Sequence, residues 1–127
     1  MSAVDELKRL AKRLGQYLRV SIRTDLITPL DTFEVVTSRV AQFGPLVVIT
    51  ATIRGTFPAG SQRYCAVLSS IGGMRPIETT AGAASLYGTG IVTDGSAAIQ
   101  GQESGAIAVS TGSRSATGAR VSFVYLL

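Results

Sequence analysis

Chemistry in this chain would fall to a short list of side chains. The sequence contains no histidine, which removes the commonest general base and the commonest neutral metal ligand together. Ser-His-Asp, Cys-His and His-metal sites are therefore impossible. Cys65, the single cysteine, sits in the apolar run Tyr64-Cys65-Ala66-Val67-Leu68; with nothing to activate it, it reads as a small buried hydrophobe rather than a nucleophile. Glu34, Glu78, Asp94 and Glu103 would be the raw material of a glycosidase carboxylate pair, but no spacing brings two of them onto one strand face. The expectation is no catalytic residue, no metal and no cofactor.

Recognition chemistry is better represented. The polar stretches 101–105 and 111–118 hold Gln102, Glu103, Ser113, Arg114 and Thr117, a mixture of donors and acceptors suited to sugar hydroxyls. Loops on a rigid β scaffold are where binding residues tend to stand. Tyr64, Tyr87 and Tyr125 are aromatics with a polar tip that could stack on a sugar ring, although such residues in strands commonly serve the core. Tyr87 is placed near the start of a strand, after a run of small residues, where its ring could stay uncovered. The candidate ligand-binding set is Tyr87, Gln102, Glu103 and Arg114. Its bland alternative is a pair of solvated hairpin tips. Gly88-Thr89-Gly90 lacks the third glycine and the alternating strands and helices of a dinucleotide site, and reads as a turn.

These side chains need a scaffold, and 127 residues allow one compact domain with an appendage. With 46% apolar and 16% charged residues the chain can bury a core. Residues 3–19 read as a helix: Val4, Leu7, Ala11, Leu14 and Leu18 follow a heptad with a at 4, 11, 18 and d at 7, 14. Leu10 and Tyr17 at g widen the stripe, as a three-stranded bundle prefers. Ser2 is the expected N-cap, and Asp5 and Glu6 stand in the first turn, where the helix dipole favours acids. A helix this short is marginal alone. It must pack on its own sheet, on copies of itself, or as a basic amphipathic element on a membrane or nucleic acid.

The formal charge of +4 is local. Residues 1–24 carry six basic against two acidic side chains, whereas residues 25–127 carry six of each. A neutral body argues against nucleic acid as partner. No stretch of about 18 apolar residues is present, and the first residues are charged, so neither membrane insertion nor a signal peptide is expected.

Residues 1–32 form the oligomerising or anchoring segment of this reading, with 20–32 an extended connector, and residues 33–127 form the head. Strands are expected at 33–40, 46–54, 63–70, 85–92, 97–100, 106–110 and 119–125, separated by turns such as Phe43-Gly44-Pro45, Pro58-Ala59-Gly60 and Gly72-Gly73. Asp94-Gly95 is the strongest hairpin signal. The fold class is all-β: a small β-sandwich or jelly-roll-like head preceded by one short N-terminal helix.

Residues 38–127 resemble the C-terminal head of tailed-phage tail fibres and baseplate receptor-binding proteins. The resemblance rests on the opening Ser38-Arg39-Val40-Ala41-Gln42-Phe43-Gly44, the apolar strand Leu46–Thr50, the element Gly72-Gly73-Met74-Arg75-Pro76, the hairpin around Asp94-Gly95, and the aromatic terminal strand Val121–Tyr125. Met74 stands where the family commonly has an aromatic. The resemblance implies a homotrimer behind a helical segment, residence in the virion, and non-catalytic binding of host cell-surface polysaccharide. Its alternative is a purely structural module that docks on other baseplate or tail proteins. Arg75-Pro76 is read as structural rather than catalytic.

Overall fold

A computed structural model describes the chain apart from residues 1, 18–19, 89–91 and 103, and apart from the side-chain surroundings of residues 11–17, 20 and 92–94. The helix α1 (Ala3–Tyr17) begins as its sequence dictates. Ser2 accepts the Asp5 amide at 3.2 Å on Oγ, capping one otherwise unpaired N–H, and donates to the Asp5 carboxylate at 2.9 Å.

Nine strands follow: β1 (Val20–Arg23), β2 (Ile27–Pro29), β3 (Glu34–Phe43), β4 (Leu46–Phe57), β5 (Gln62–Leu68), β6 (Thr80–Tyr87), β7 (Val92–Ile99), β8 (Ala106–Ser110) and β9 (Ala116–Leu126). They form one antiparallel sheet in the order β1-β3-β4-β9-β6-β7-β8-β5-β2. The sheet curls so that β2 approaches β3 and β5 approaches β4. The two faces of the expected sandwich are thus halves of one continuous sheet.

Period-2 alternation fills the interior. β4 turns Val47, Ile49, Ala51, Ile53 and Phe57 inward, and β9 turns Ala119, Val121, Phe123 and Tyr125 inward. Leu86, Ile99, Ile107, Val109 and Leu68 complete the core from the other half. No polar or charged residue is buried among the described residues. Hydrophobic burial therefore carries the stability without buried ion pairs.

Three sequence expectations change. The 20–32 connector is extended, but it supplies β1 and β2, the two edges of the sheet. Asp94-Gly95 is no hairpin: Asp94 pairs with Ser85 and Gly95 with Ala84 in mid-strand. A Cβ on Gly95 would lie 2.7 Å from Leu86 Cδ1 and 2.8 Å from the Ser110 carbonyl oxygen, so this glycine serves close approach rather than a turn. The strand expected at 85–92 is divided: β6 ends at Tyr87 and β7 begins at Val92, and the Thr89-Gly90 part of the expected turn lies outside the described residues. Tyr87 therefore closes a strand instead of opening one. Local turn chemistry succeeded elsewhere: Gly44-Pro45 joins β3 to β4 with Gly44 at φ 57°, the two-residue turn that hairpin twist favours.

Along the described part of α1, Val4, Leu7 and Leu10 remain 59%, 65% and 55% exposed, so these three residues of the expected stripe do not pack on the sheet. Ala11 and Leu14 lie in the helical backbone. Leu18 falls outside the described residues.

Candidate functional site

The register defines two ends. Val20 of β1 pairs with Phe43, and Leu46 pairs with Leu126, so the helix joins the sheet at the end that carries Phe43, Leu46 and Leu126. The opposite, helix-distal end carries Glu34, Phe57, Tyr87 and Ala116.

This geometry separates the residues selected from sequence. Tyr87 and Arg114 belong to the helix-distal end, whereas Gln102 lies in the β7–β8 loop beyond Ile99, at the helix-proximal end. Glu103 lies outside the described residues. Arg114 and Gln102 are exposed. Tyr87 is half-buried because its ring covers Gly118, where a Cβ would come within 2.2 Å of the Tyr87 ring. Its stacking face is committed to β9. The four residues do not form one site.

The Gln102 loop is held from below. Arg75 donates from Nε to the Leu68 carbonyl at 2.8 Å and from Nη1 to the Gln102 carbonyl at 3.0 Å. Pro76 beside it is buried. Gly105 at φ 63° makes room, since a Cβ there would meet Arg75 Nε at 2.5 Å. Arg75 is therefore structural, as expected.

The helix-distal end holds a better-formed cleft. β2 stops at Pro29, opposite Ala66, an edge-strand proline whose missing N–H would have faced away from β5, since the bonds on the β5 side fall at Leu26 and Leu30 on either side of it. Leu30 still donates to the Cys65 carbonyl at 3.0 Å. Asp31 then turns the chain away at φ 51°, a left-handed conformation that Asp tolerates. No partner strand covers β5 at Gln62–Tyr64 on that side. The result is a cleft of ≈ 440 Å³ lined by Asp31, Thr32, Thr56, Gln62, Arg63 and Tyr64 over a floor of Phe33. The floor is packed from below: Phe33 lies against Phe57 with ring centroids 4.9 Å apart and the rings tilted by 38°, and it sits where a Cβ on Gly55 would have to be.

Tyr64 is 46% exposed and accepts a hydrogen bond from Gln100 Nε2 at 3.2 Å, which fixes its tip and leaves ring surface uncovered. A carboxylate, an amide, a guanidinium and two hydroxyls surround an aromatic ring, an assortment that fits a polyol. The neighbouring loop is braced too: Thr111 Oγ1 accepts the Ser61 amide at 3.1 Å and donates to the Pro58 carbonyl.

Tyr64 was among the aromatics the sequence offered for stacking. Asp31, Thr32, Gln62 and Arg63 were not singled out, because only the early stop of β2 brings them together. The one signal for it was Thr28-Pro29 followed by Asp31. Tyr125, the third aromatic, is buried with its hydroxyl donating to the Met74 carbonyl.

Cys65 is buried, its thiol directed at the Ile107 carbonyl, and burial pushes its pKa up to about 12. It is a packing residue. Among the described residues no group of three His, Cys, Asp or Glu could hold a metal ion, and no helix is long and apolar enough to cross a membrane.

No family model and no curated protein matches the chain. Among solved structures the chain is distantly similar to a reovirus attachment protein, sigma1, crystallised in complex with alpha-2,3-sialyllactose. The identity is 12% and the TM-score 0.39, over 88% of this chain and 67% of that one. A likeness of this size assigns neither a family nor a ligand.

Proposed function

We propose that this chain is a non-enzymatic attachment module of a virion, of the tailed-phage tail-fibre or baseplate kind, which binds host-surface carbohydrate as a homotrimer. The observation that carries the reading is Tyr64: a half-exposed ring, held by its tip, beside a polar cleft at the end opposite the helix. A sugar ring would stack on Tyr64 while Asp31, Gln62 and Arg63 take its hydroxyls. The helix would associate through Val4, Leu7, Ala11, Leu14 and Leu18, and three linked heads would convert weak single sites into avidity. The absence of histidine and the inert Cys65 thiol agree with binding rather than turnover.

A purely structural role is favoured by a different observation. Ile22, Phe43, Val124 and Leu126 are exposed at the helix-proximal end, as a surface docked on another virion protein would be. A glycan array probed with the intact protein and its Tyr64→Ala variant separates the two. Attachment predicts glycan binding that Tyr64→Ala abolishes with little change in melting temperature. A wild-type protein that binds no glycan would sink the attachment reading.

A further inference from the structure

The outward face of β3, β4, β9 and β6 carries a second concavity, of ≈ 460 Å³, away from the Tyr64 cleft. The register arranges it as two cross-strand rows. In one, Arg39 stands opposite Thr50 and Thr50 opposite Ser122; in the other, Thr52 stands opposite Arg120 and Arg120 opposite Ser85. Thr37 stands opposite Thr52 in turn, so the first row holds two hydroxyls and one guanidinium and the second three hydroxyls and one guanidinium. The trough exists because Ala83, Ser85 and Ser122 are short, while the long Arg39 and Arg120 side chains rise beside them.

The charge on this face is unbalanced. Glu34 pairs with a third arginine, Arg54, at 3.7 Å. Neither Arg39 nor Arg120 has a carboxylate partner among the described residues. The backbone of Asp94 continues the second row beyond Ser85, but its side chain is outside the description. Strand and residue spacings put the Arg39 and Arg120 Cα atoms about 12 Å apart, two strands and one row removed. Both guanidinia can therefore reach acidic groups on one extended ligand.

We propose that this face binds an acidic polysaccharide, a polyol chain bearing carboxylate or phosphate groups. Each guanidinium offers a planar fork of donors that matches such an anion. The hydroxyl rows both donate to and accept from sugar hydroxyls. No aromatic lines the trough, so it lacks the stacking platform of a single-stranded nucleic-acid site. The proposal goes beyond the Tyr64 cleft, and it stands whether or not that cleft holds a sugar.

The test uses the full chain and four immobilised probes: polygalacturonate, poly(glycerol phosphate), neutral dextran and duplex DNA, in about 0.1 M salt to suppress long-range charge effects. Binding to either acidic polyol, about tenfold or more tighter than to dextran and DNA, is the expected result, and the two acidic probes tell carboxylate from phosphate. Arg39→Gln with Arg120→Gln should weaken it about tenfold or more, and Arg39→Lys with Arg120→Lys less, since the charge remains and the fork is lost. Thr50→Val with Ser122→Ala, which leaves the charge untouched, should weaken it severalfold. Tyr64→Ala should leave it unchanged. All of these positions are solvent-accessible, and a melting curve for each variant checks that it folds. Binding to neither acidic polymer, full affinity in the double Gln variant, an unaffected hydroxyl variant, or equal affinity for DNA would each overturn the proposal.

Discussion

The ring of Tyr87 lies across Gly118, its partner on the neighbouring strand, so closely that a Cβ at 118 would fall 2.2 Å from the ring. The aromatic covers the stretch of β9 that lacks a side chain and welds the end of β6 to it. Gly118→Ala should accordingly displace the ring and destabilise the fold by about 1–3 kcal/mol. In the Tyr87→Ala background the same change should cost far less, and urea unfolding of the four proteins measures the coupling. Equal costs in both backgrounds would show that the ring does not rest there. Tyr87→Ala alone should lower the melting temperature, unlike a change at a free surface tyrosine.

Arg75→Ala removes the donors for the Leu68 and Gln102 carbonyls at once. The expected loss is about 1–3 kcal/mol, because the partly buried carbonyl of Leu68 is left without its charged donor. Cleavage within 100–105 under limited proteolysis should rise in parallel, as the loop loses its tether. Arg75→Lys should restore little, since one ammonium does not span both oxygens as the fork does.

Two groups make the fold sensitive to alkali. Burial raises Cys65 from 9.0 and Tyr125 from 10.0, each to about 12. In the unfolded chain they ionise near their ordinary values, so the unfolded state holds fewer protons between pH 9 and 12. The stability they contribute is complete below those ordinary values and is lost as pH rises through the folded ones. Melting temperature should be insensitive to these groups below pH 9.0 and fall above it, with a shallower fall in Cys65→Ala. An unchanged slope in that variant would count against the burial argument. A thiol reagent at neutral pH should label Cys65 only after denaturation.

On the proposed reading the exposed stripe Val4, Leu7 and Leu10 packs against copies of itself. Leu7→Asp with Leu14→Asp should dissolve the assembly, because the seam would have to bury unpaired charge. Light scattering coupled to gel filtration reads the outcome. Retention of the same oligomer would exclude the helix as the assembling element.

What the residues determine by themselves is local. The heptad and Ser2 cap specify α1, alternation in Val121–Tyr125 specifies a half-buried strand, the apolar run Leu46–Ile49 specifies another strand, and the lack of histidine rules out whole classes of chemistry. These signals need only neighbours a few positions apart. Which strand lies beside which is decided by pairings such as Leu46 with Leu126, for which period-2 patterns are degenerate. That long-range register puts Gly95 against Leu86 in mid-strand instead of in a turn and sends Tyr87 and Gln102 to opposite ends. It also opens the Tyr64 cleft where β2 stops. The body sums to zero charge along the sequence, yet the register gathers Arg39 and Arg120, neither with a carboxylate partner among the described residues, onto one outward face. Net charge is a property of composition, whereas charge on a surface depends on which strands meet.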